Sequence, residues 1–498
     1  MAEFHQDEHL DPTSEISLES VKERSVRGIV ILTGRTFFLQ IIAVVASGLM
    51  WAYLGPSEIG IFFILNAVIN FLNYFSDIGL AASLVQKKEH PSETDLRTTF
   101  FVQEILVVTI ILIVVFLTPF FTKHYSLNSD GVMLLYALAL SFFLSSLKSI
   151  PSVLLERKLE FVKLAFPQIL EQIIYYLILV FFAMRGFGIK SFTIAVIVRD
   201  IVGLFAIYTF QPWKPGFSFS RKTLTGLFKF GIPYQINTLM AAIKDDGMTL
   251  VLGGILGPVG IGYLATAQKF ARYPLTFFMD TVTRVTFPAF SRLQDSKDHL
   301  ARSVTRSIFF ICFLVFPALS GLVIVAPLIV EVVPRYYQWK PALFALTFVS
   351  VNFMFAAATT QLTNLLNAIG KIKITFLLMI MWTALTWALI PLLATYFGVN
   401  GASVGYAIVG SSSLIAILIA HSYVKFSLYD SIGRPLVGTL AMTIVLVILR
   451  NFLPVNAYTI FILSLVGLIV YFVIMVVIVG MSLVEDAKKS FKTILGKK

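Results

Sequence analysis

The sequence predicts an all-α integral membrane protein of about fourteen transmembrane helices, built as two six-helix lobes with two further helices at the C-terminal end. Three observations predict it. Apolar stretches long enough to cross a bilayer recur along the whole chain, Lys and Arg segregate into alternate connections, and a turn sequence after the first helix returns after the seventh. The composition agrees: 57% of the 498 residues are hydrophobic and 13% charged, more apolar surface than a water-soluble globule can bury. The net charge of +12 alone suggests nucleic acid as a partner. Basic pairs such as Arg221 with Lys222 and Lys488 with Lys489 fall where inside flanks of membrane helices belong, so topology accounts for the charge and a nucleic-acid partner is excluded.

A helix crossing about 30 Å of hydrocarbon needs roughly 20 apolar residues. The spans read as 28–53, 59–85, 98–121, 131–154, 164–184, 188–210, 226–250, 260–289, 304–325, 341–367, 374–396, 401–422, 435–452 and 458–481. A cytoplasmic tail over 1–27, with a short interfacial helix near Ile16 to Val26, precedes a first lobe over 28–210. A linker over 211–225 leads to a second lobe over 226–422, the last two helices occupy 423–481, and a basic tail covers 482–498. With both termini placed inside, the inside segments hold 26 Lys and Arg, counting Lys229 and Arg306 at the span ends. The outside segments hold six: Lys123, Arg185, Lys190, Arg335, Lys340 and Arg450. That asymmetry sets the expected orientation.

The duplication rests on two matches. Leu54-Gly55-Pro56-Ser57-Glu58-Ile59-Gly60 recurs as Leu256-Gly257-Pro258-Val259-Gly260-Ile261-Gly262, and Phe187-Gly188-Ile189 is echoed by Phe397-Gly398-Val399. Six spans return the chain to its starting side, so the two lobes share an orientation and are related by a pseudo-two-fold axis. Paired repeats of this kind place a substrate site at their interface and operate by alternating access.

Ionisable residues inside the spans include Arg35, Asp77, Glu104, Lys148, Glu171, Arg199, Asp200, Lys244, Asp245, Asp246, Lys269, Arg272, Asp280 and Arg284. Facing lipid, each would cost about 2.5–3.5 kcal/mol even on the mild insertion scale, so they are expected against protein or water. Helical phase groups them. Lys269, Arg272, Thr276, Asp280, Thr283 and Arg284 fall in a stripe about 120° wide on helix eight, and Asn66, Asn70, Asn73 and Asp77 within about 60° on helix two. Helix ten carries Asn352, Thr359, Thr363 and Asn367, while on helix seven Asn237 shares a face with Lys244, beside Asp245. Helix packing is the plain alternative for the Asn and Thr positions, and Arg199 with Asp200, or Asp280 with Arg284, can neutralise each other. Lys244 likewise has Asp245 and Asp246 to pair with, and Glu104 is placed near the interface. Lys269 and Arg272 have no acidic residue within one turn in the sequence, so they are read as lining a solvated cavity. Arg35 and Lys244 are carried with them as substrate-binding candidates. A cationic cavity suits a pyrophosphate, whose oxygens a guanidinium binds in bidentate fashion, and the Asn and Thr stripes suit a hydrated sugar. Pro274 and Pro288 offer places for helix eight to bend.

Cys312 is the single cysteine, and the six histidines are scattered without ligand spacing, so no disulfide, metal or other cofactor is expected. A membrane polymerase or glycosyltransferase would need a loop carrying paired acids, and the segment from Pro327 to Lys340 offers one Glu and no His. An ion-coupled drug exporter is the other rival. It would favour an acidic, aromatic cavity, which the basic stripe on helix eight opposes. Asp77, Asp245, Asp246 and Asp280 are open to two roles, proton carriers or fixed counter-charges.

Leu54-Gly55-Pro56 through Gly60, the stretch from Asp77 to Lys88, the stretch from Phe287 to Leu293 and Gly398-Val399-Asn400-Gly401-Ala402 stand in an order and spacing covering nearly the whole chain. In these the sequence resembles polysaccharide-transport (Wzx-like) flippases of the multidrug/oligosaccharidyl-lipid/polysaccharide (MOP) exporter superfamily. The resemblance implies two lobes around a cationic cavity lined by helices one, two, seven and eight, with the last two helices peripheral. It implies export of undecaprenyl-pyrophosphate-linked oligosaccharide from the cytoplasmic to the outer leaflet of a bacterial inner membrane. The implied partners are that lipid-linked substrate, membrane lipids and polysaccharide polymerase or chain-length machinery, with a monomer as the unit. Arg35 matches the arginine expected in helix one, and Lys269 and Arg272 the basic positions of helix eight. The mixed Lys244-Asp245-Asp246 cluster departs from a purely cationic lining.

Overall fold

Proline starts and glycine turns divide a nearly unbroken succession of helices. The computed structural model describes residues 18–77, 79–87 and 89–480, and no strand occurs among them. In order, the helices are α1 (Leu18–Tyr53), α2 (Pro56–Asp77), α3 (Leu80–Gln86), α4 (Glu93–Phe116), α5 (Thr118–His124) and α6 (Ser129–Leu147). They continue as α7 (Ser149–Arg157), α8 (Phe161–Met184), α9 (Lys190–Phe210) and α10 (Arg221–Ala242). A π-helical turn over Ile243–Gly247 joins α10 to α11 (Met248–Leu293). After it come α12 (Lys297–Val332), a 3₁₀ turn over Pro334–Trp339, α13 (Ala342–Ala368), α14 (Ile372–Ser411) and α15 (Ser413–Tyr423). A second π turn over Tyr429–Gly433 leads into α16 (Arg434–Phe452) and α17 (Ala457–Val479).

Among the described residues, twelve helical segments are long and apolar enough to cross a membrane. The sequence expectation is about fourteen, and the difference has a location. Two of the twelve, Ile243–Met279 and Ile372–Tyr423, are 37 and 52 residues long, well beyond one crossing. Each contains a glycine with non-helical backbone, Gly257 (φ 66°, ψ 179°) and Gly398 (φ 60°, ψ −143°), where an apolar run keeps its hydropathy while the chain turns. Helix α1 begins at Leu18, ahead of the span expected from 28 and with no break at the interfacial helix expected near Ile16 to Val26. Residues 1–17 and the basic tail at 482–498 lie outside the described residues.

Packing delimits one compact unit up to Gly262 and a second from Tyr263. In the first, α8 packs on α1 and α9, α6 on α2, α4 and α9, and α10 on α2, α3 and α4. In the second, α12 packs on α13, α16 and α17, and α13 on α14 and α15. The last two helices close on α12 through Ile324, Leu328, Met442, Leu446, Leu463 and Met475. Large apolar side chains such as Phe116, Phe205, Phe452 and Tyr458 are more than two-thirds exposed, a surface suited to acyl chains.

Local chemistry fixes the helix ends. Pro56 begins α2, where a missing N–H costs nothing. Ser92 and Asp95 form a capping box on α4: Asp95 N–H donates to Ser92 Oγ at 3.1 Å and Ser92 N–H to Asp95 Oδ2 at 2.9 Å. Past the end of α3, the Arg157 guanidinium donates to the carbonyls of Leu84 (2.7 Å), Lys87 (2.7 Å) and Glu89 (3.2 Å), groups that helix hydrogen bonding leaves unsatisfied. Glu104 is buried in the protein, since it shares a face of α4 with Leu96, Phe100, Val107 and Val114, which are all buried.

The duplicated turns touch each other. A Cβ on Gly60 would overlap the Pro258 carbonyl and crowd the Gly262 N–H, and a Cβ on Gly262 would overlap the Pro56 carbonyl. The same glycine of each copy thus seats on the proline of the other, a reciprocal backbone contact that no larger residue permits. Ala at Gly60 or Gly262 is expected to destabilise the protein by about 1–3 kcal/mol through overpacking. Ala at Gly226, which has open space around it in α10, is expected to be neutral or stabilising by about 1 kcal/mol. Thermal unfolding of the three variants in detergent, followed by loss of the monodisperse species, checks the contrast.

Candidate functional site

In the first unit, α2 packs beside the π turn and brings Asn70 to it. Asn66 is half-buried, and Asn70 and Asn73 are exposed. Asn70 hydrogen-bonds Asp246, and Asn73 Oδ1 accepts from Ser76 Oγ at 3.1 Å. Within the turn, Lys244 Nζ stands 3.8 Å from Asp245 Oδ1, and both side chains are more than a third exposed. A π turn inside a helix is often found at functional sites, since the extra residue redirects the side chains around it. Here it orients the Lys244-Asp245-Asp246 run and brings Asp246 to the α2 stripe. The side chains of Asp77 and Asn237 lie outside the described residues.

Arg35, on α1, donates to the Gln168 side-chain oxygen on α8. Gln168 lines a cavity of about 220 Å³ together with Ser145, Lys148, Ser149, Ser152 and Glu171. Lys148 Nζ stands 2.8 Å from Glu171 Oε1 and 3.2 Å from Asp200 Oδ1. Asp200 is 2% exposed and also accepts from Arg199 Nη2 at 2.8 Å and from the Ser141 hydroxyl. The Arg199 guanidinium lies 5.5 Å from the centre of the Tyr175 ring. Four charged groups that sum to zero therefore join α6, α8 and α9, the condition under which charge is tolerated inside an apolar protein.

In the second unit, Lys269 is half-buried on α11 and Arg272 is exposed, its guanidinium 5.9 Å from the centre of the Phe353 ring. Thr276 Oγ1 donates to the Arg272 carbonyl at 3.2 Å. Lower on the same stripe, Thr283 Oγ1 accepts from Gln361 Nε2 at 3.2 Å, and Thr286 Oγ1 donates to Gln361 Oε1 at 2.8 Å, with Gln361 fully buried. The side chains of Asp280 and Arg284 lie outside the described residues.

Of the residues singled out from sequence, the structure brings Asn70 to Asp246, Lys244 to Asp245 and Arg35 to α8, and joins Arg199 with Asp200 as a pair. The helix-ten stripe is a packing feature at three of its four positions. Thr359 and Thr363 donate to carbonyls of their own helix, and Asn367 accepts from Thr375 at 2.7 Å. Gln361, which makes the cross-helix bonds, sits about 180° from that stripe. The linkage of Lys148 to both Glu171 and Asp200 escaped sequence reasoning, and so did Gln168; the one available signal was the spacing of Gln168 and Glu171, one turn apart on α8.

The fold and these polar faces inside apolar helices define a multi-span α-helical membrane protein. The model of a family described as polysaccharide biosynthesis protein matches residues 52–344, and the chain belongs to that family. It is 23% identical over 396 residues to the lipopolysaccharide biosynthesis protein WzxC of Escherichia coli (strain K12), covering 78% of this chain and 79% of that one. It is 23% identical over 403 residues to the succinoglycan biosynthesis transport protein ExoT of Rhizobium meliloti (strain 1021), covering 79% and 80%. Among solved structures, the lipid II flippase MurJ in an inward closed conformation superposes with a TM-score of 0.73 at 17% identity, covering 90% of this chain and 98% of that one. An inward-facing multidrug resistance MATE transporter of the MOP superfamily gives 0.61 at 16% identity, covering 79% and 97%.

Lys148→Met would leave Glu171 and Asp200 facing each other in a buried site, a loss of about 3–5 kcal/mol. Lys148→Met with Glu171→Gln restores the charge balance and is expected to recover most of it. Yields of folded protein and unfolding temperatures of the single and double variants check this.

Proposed function

We propose that this protein is a flippase that carries undecaprenyl-pyrophosphate-linked oligosaccharide from the cytoplasmic to the outer leaflet of a bacterial inner membrane for surface polysaccharide synthesis. The single observation that carries the reading is the pair Lys269 and Arg272, one turn apart on one face of α11 within a segment long and apolar enough to cross a membrane. Positive charge within such a segment is costly against lipid, and an anionic head group would give it a favourable partner. A pyrophosphate is an anion that the chemistry of a guanidinium favours, and the fold shared with a lipid II flippase supports a lipid-borne substrate. The cationic side chains assigned to it are Lys269 and Arg272 in the second unit and Arg35 and Lys244 in the first. Asn66, Asn70, Asn73, Asp77, Asn237, Asp245, Asp280 and Arg284 supply donors and acceptors for the sugar. The prenyl chain stays in lipid while the head group crosses by alternating access. Transport rather than bond-making chemistry is the activity, both termini are cytoplasmic, the unit is a monomer, and a polysaccharide polymerase receives the product.

Deleting the gene is expected to abolish a surface polymer and to raise lipid-linked repeat units on the inner leaflet. Lys269→Ala with Arg272→Ala is expected to reproduce that loss at least about tenfold, the scale of removing two charge-assisted contacts, with normal membrane insertion. Unimpaired polymer export by the double variant would remove the site assignment. Ion-driven dye efflux without any effect on polymer would favour a drug exporter instead.

A further inference from the structure

The connection from α9 to α10 runs over residues 211–220 without helix or strand, as a strap across one end of the first unit. Pro212 and Pro215 keep it from coiling, since neither offers an N–H and each biases the residue before it toward extended backbone. The strap is seated, not loose. Trp213 is buried beside Leu80, Leu84 and Leu227, its ring edge-on to Phe100 with centroids 5.2 Å apart. Gly216 lies so close to the Arg97 side chain that a Cβ there would meet it at 2.9 Å. The Phe217 ring stands edge-on to Phe101 at 5.5 Å.

This seating leaves apolar and basic side chains outside together. Phe217 is 77% exposed and Phe219 63%. Lys214, Arg221 and Lys222 are exposed beside them, and none of the three has an ion-pair partner among the described residues. No acid occurs from Gln211 to Lys222. The acids at the start of α4 are engaged: Glu93 pairs with Arg97 at 3.4 Å, and the buried Asp95 receives Lys87 at 2.6 Å and the Thr223 hydroxyl at 2.9 Å. Arg221 and Lys222 also open α10, at the end whose dipole disfavours cations, and no acid in the first turn offsets them.

We infer that this strap is a membrane-surface anchor, in which Phe217 and Phe219 enter the acyl boundary while Lys214, Arg221 and Lys222 bind the head groups of anionic phospholipids. The helices that bracket it set its depth. α4 begins at Glu93 and α9 ends at Phe210, and both are long and apolar enough to cross a membrane. Phe101 lies about 12 Å along α4 from its first residue, so the Phe217 ring beside it stands among head groups and upper acyl chains rather than in bulk water. Aromatic rings are favoured at that level. Each Lys or Arg near an anionic surface strengthens attachment on the order of fivefold. An acidic soluble protein would answer the charges and leave the two rings unaccounted for. The anchor goes beyond the transport reading and is independent of what the protein carries.

A nitroxide on the full chain tests it. Ser218→Cys places the label between the two rings, and the native Cys312 is buried and does not compete for it. In vesicles of phosphatidylcholine mixed with phosphatidylglycerol, the label is expected to collide more with oxygen dissolved in lipid than with a water-soluble nickel complex. In phosphatidylcholine alone, or in the mixed vesicles once Lys214→Gln, Arg221→Gln and Lys222→Gln are added, the balance is expected to move toward the nickel complex. A label open to the nickel complex equally in both vesicles overturns the anchor and leaves an aqueous protein as the partner of this surface. A label held in lipid whatever the head-group charge overturns the assignment of the three basic side chains. Should the labelled chain fail to insert, amide exchange over residues 216–222 of the unmodified protein decides. Exchange slower by at least about fivefold in the mixed vesicles supports the anchor, and equal exchange overturns it.

Discussion

An ionised side chain surrounded by hydrocarbon is the one state this chain cannot tolerate, and the placement of its polar residues follows from avoiding it. The protein meets the constraint in different ways. Lys148, Glu171, Arg199 and Asp200 cancel within a few ångströms, so none depends on water to exist at that depth. Lys244 and Asp245 pair loosely, with Lys244 half-buried and Asp245 exposed. Arg272 rests its guanidinium over an aromatic face, which attracts a cation without neutralising it. A tightly cancelled network suits a part that must hold its geometry or change it in one step. A cation stabilised by a ring keeps its charge for an incoming anion.

Close approach of backbone is the second recurring device, and it too follows from the solvent. Lipid supplies no hydrophobic force between helices, so association relies on contact at short range, which small residues allow. Gly60 and Gly262 bring the two copies of one turn sequence together carbonyl to glycine. At Gly203 the same absence of a Cβ serves an ion pair, since it lets the Glu171 carboxylate pass α9 on its way to Lys148. The duplicated sequence is therefore more than a trace of repetition: each copy supplies the glycine that the proline of the other requires.

What sequence could reveal depended on whether the signal was local. Hydropathy is a sum over some 20 neighbours, so the spans were legible; the sequence reading divides the chain near Gly257 and Gly398, where the structure keeps a continuous helical segment through a non-helical glycine. Helical phase is also local, and it placed the asparagines of α2 on one face and Arg272 beside Lys269. It misled on α13, because Thr359 and Thr363 satisfy their hydroxyls on their own backbone and need no neighbour, while the fully buried Gln361 on the other side reaches α11. Lys148, Glu171 and Asp200 come from three helices separated by 23 and 52 positions, and no periodicity connects such distances. Arg35 was legible as a charge in the wrong place, and Gln168, its partner 133 positions away, was not.

The run Lys244-Asp245-Asp246 carries the argument about water one step further. In a regular helix three consecutive side chains spread over about 200°, so they cannot all face one protein neighbour. The π turn gives Asp246 a partner in Asn70, and leaves Asp245 63% exposed beside Lys244, which is 36% exposed. Both lie at the start of the 37-residue segment Ile243–Met279, which is long and apolar enough to cross a membrane. A lipid neighbour on that side would charge the fold several kcal/mol for each ion, more than a loose pair at 3.8 Å returns. Exposed charge of this kind suits contact with water rather than with acyl chains, which is the environment the proposed transport of a hydrated head group requires.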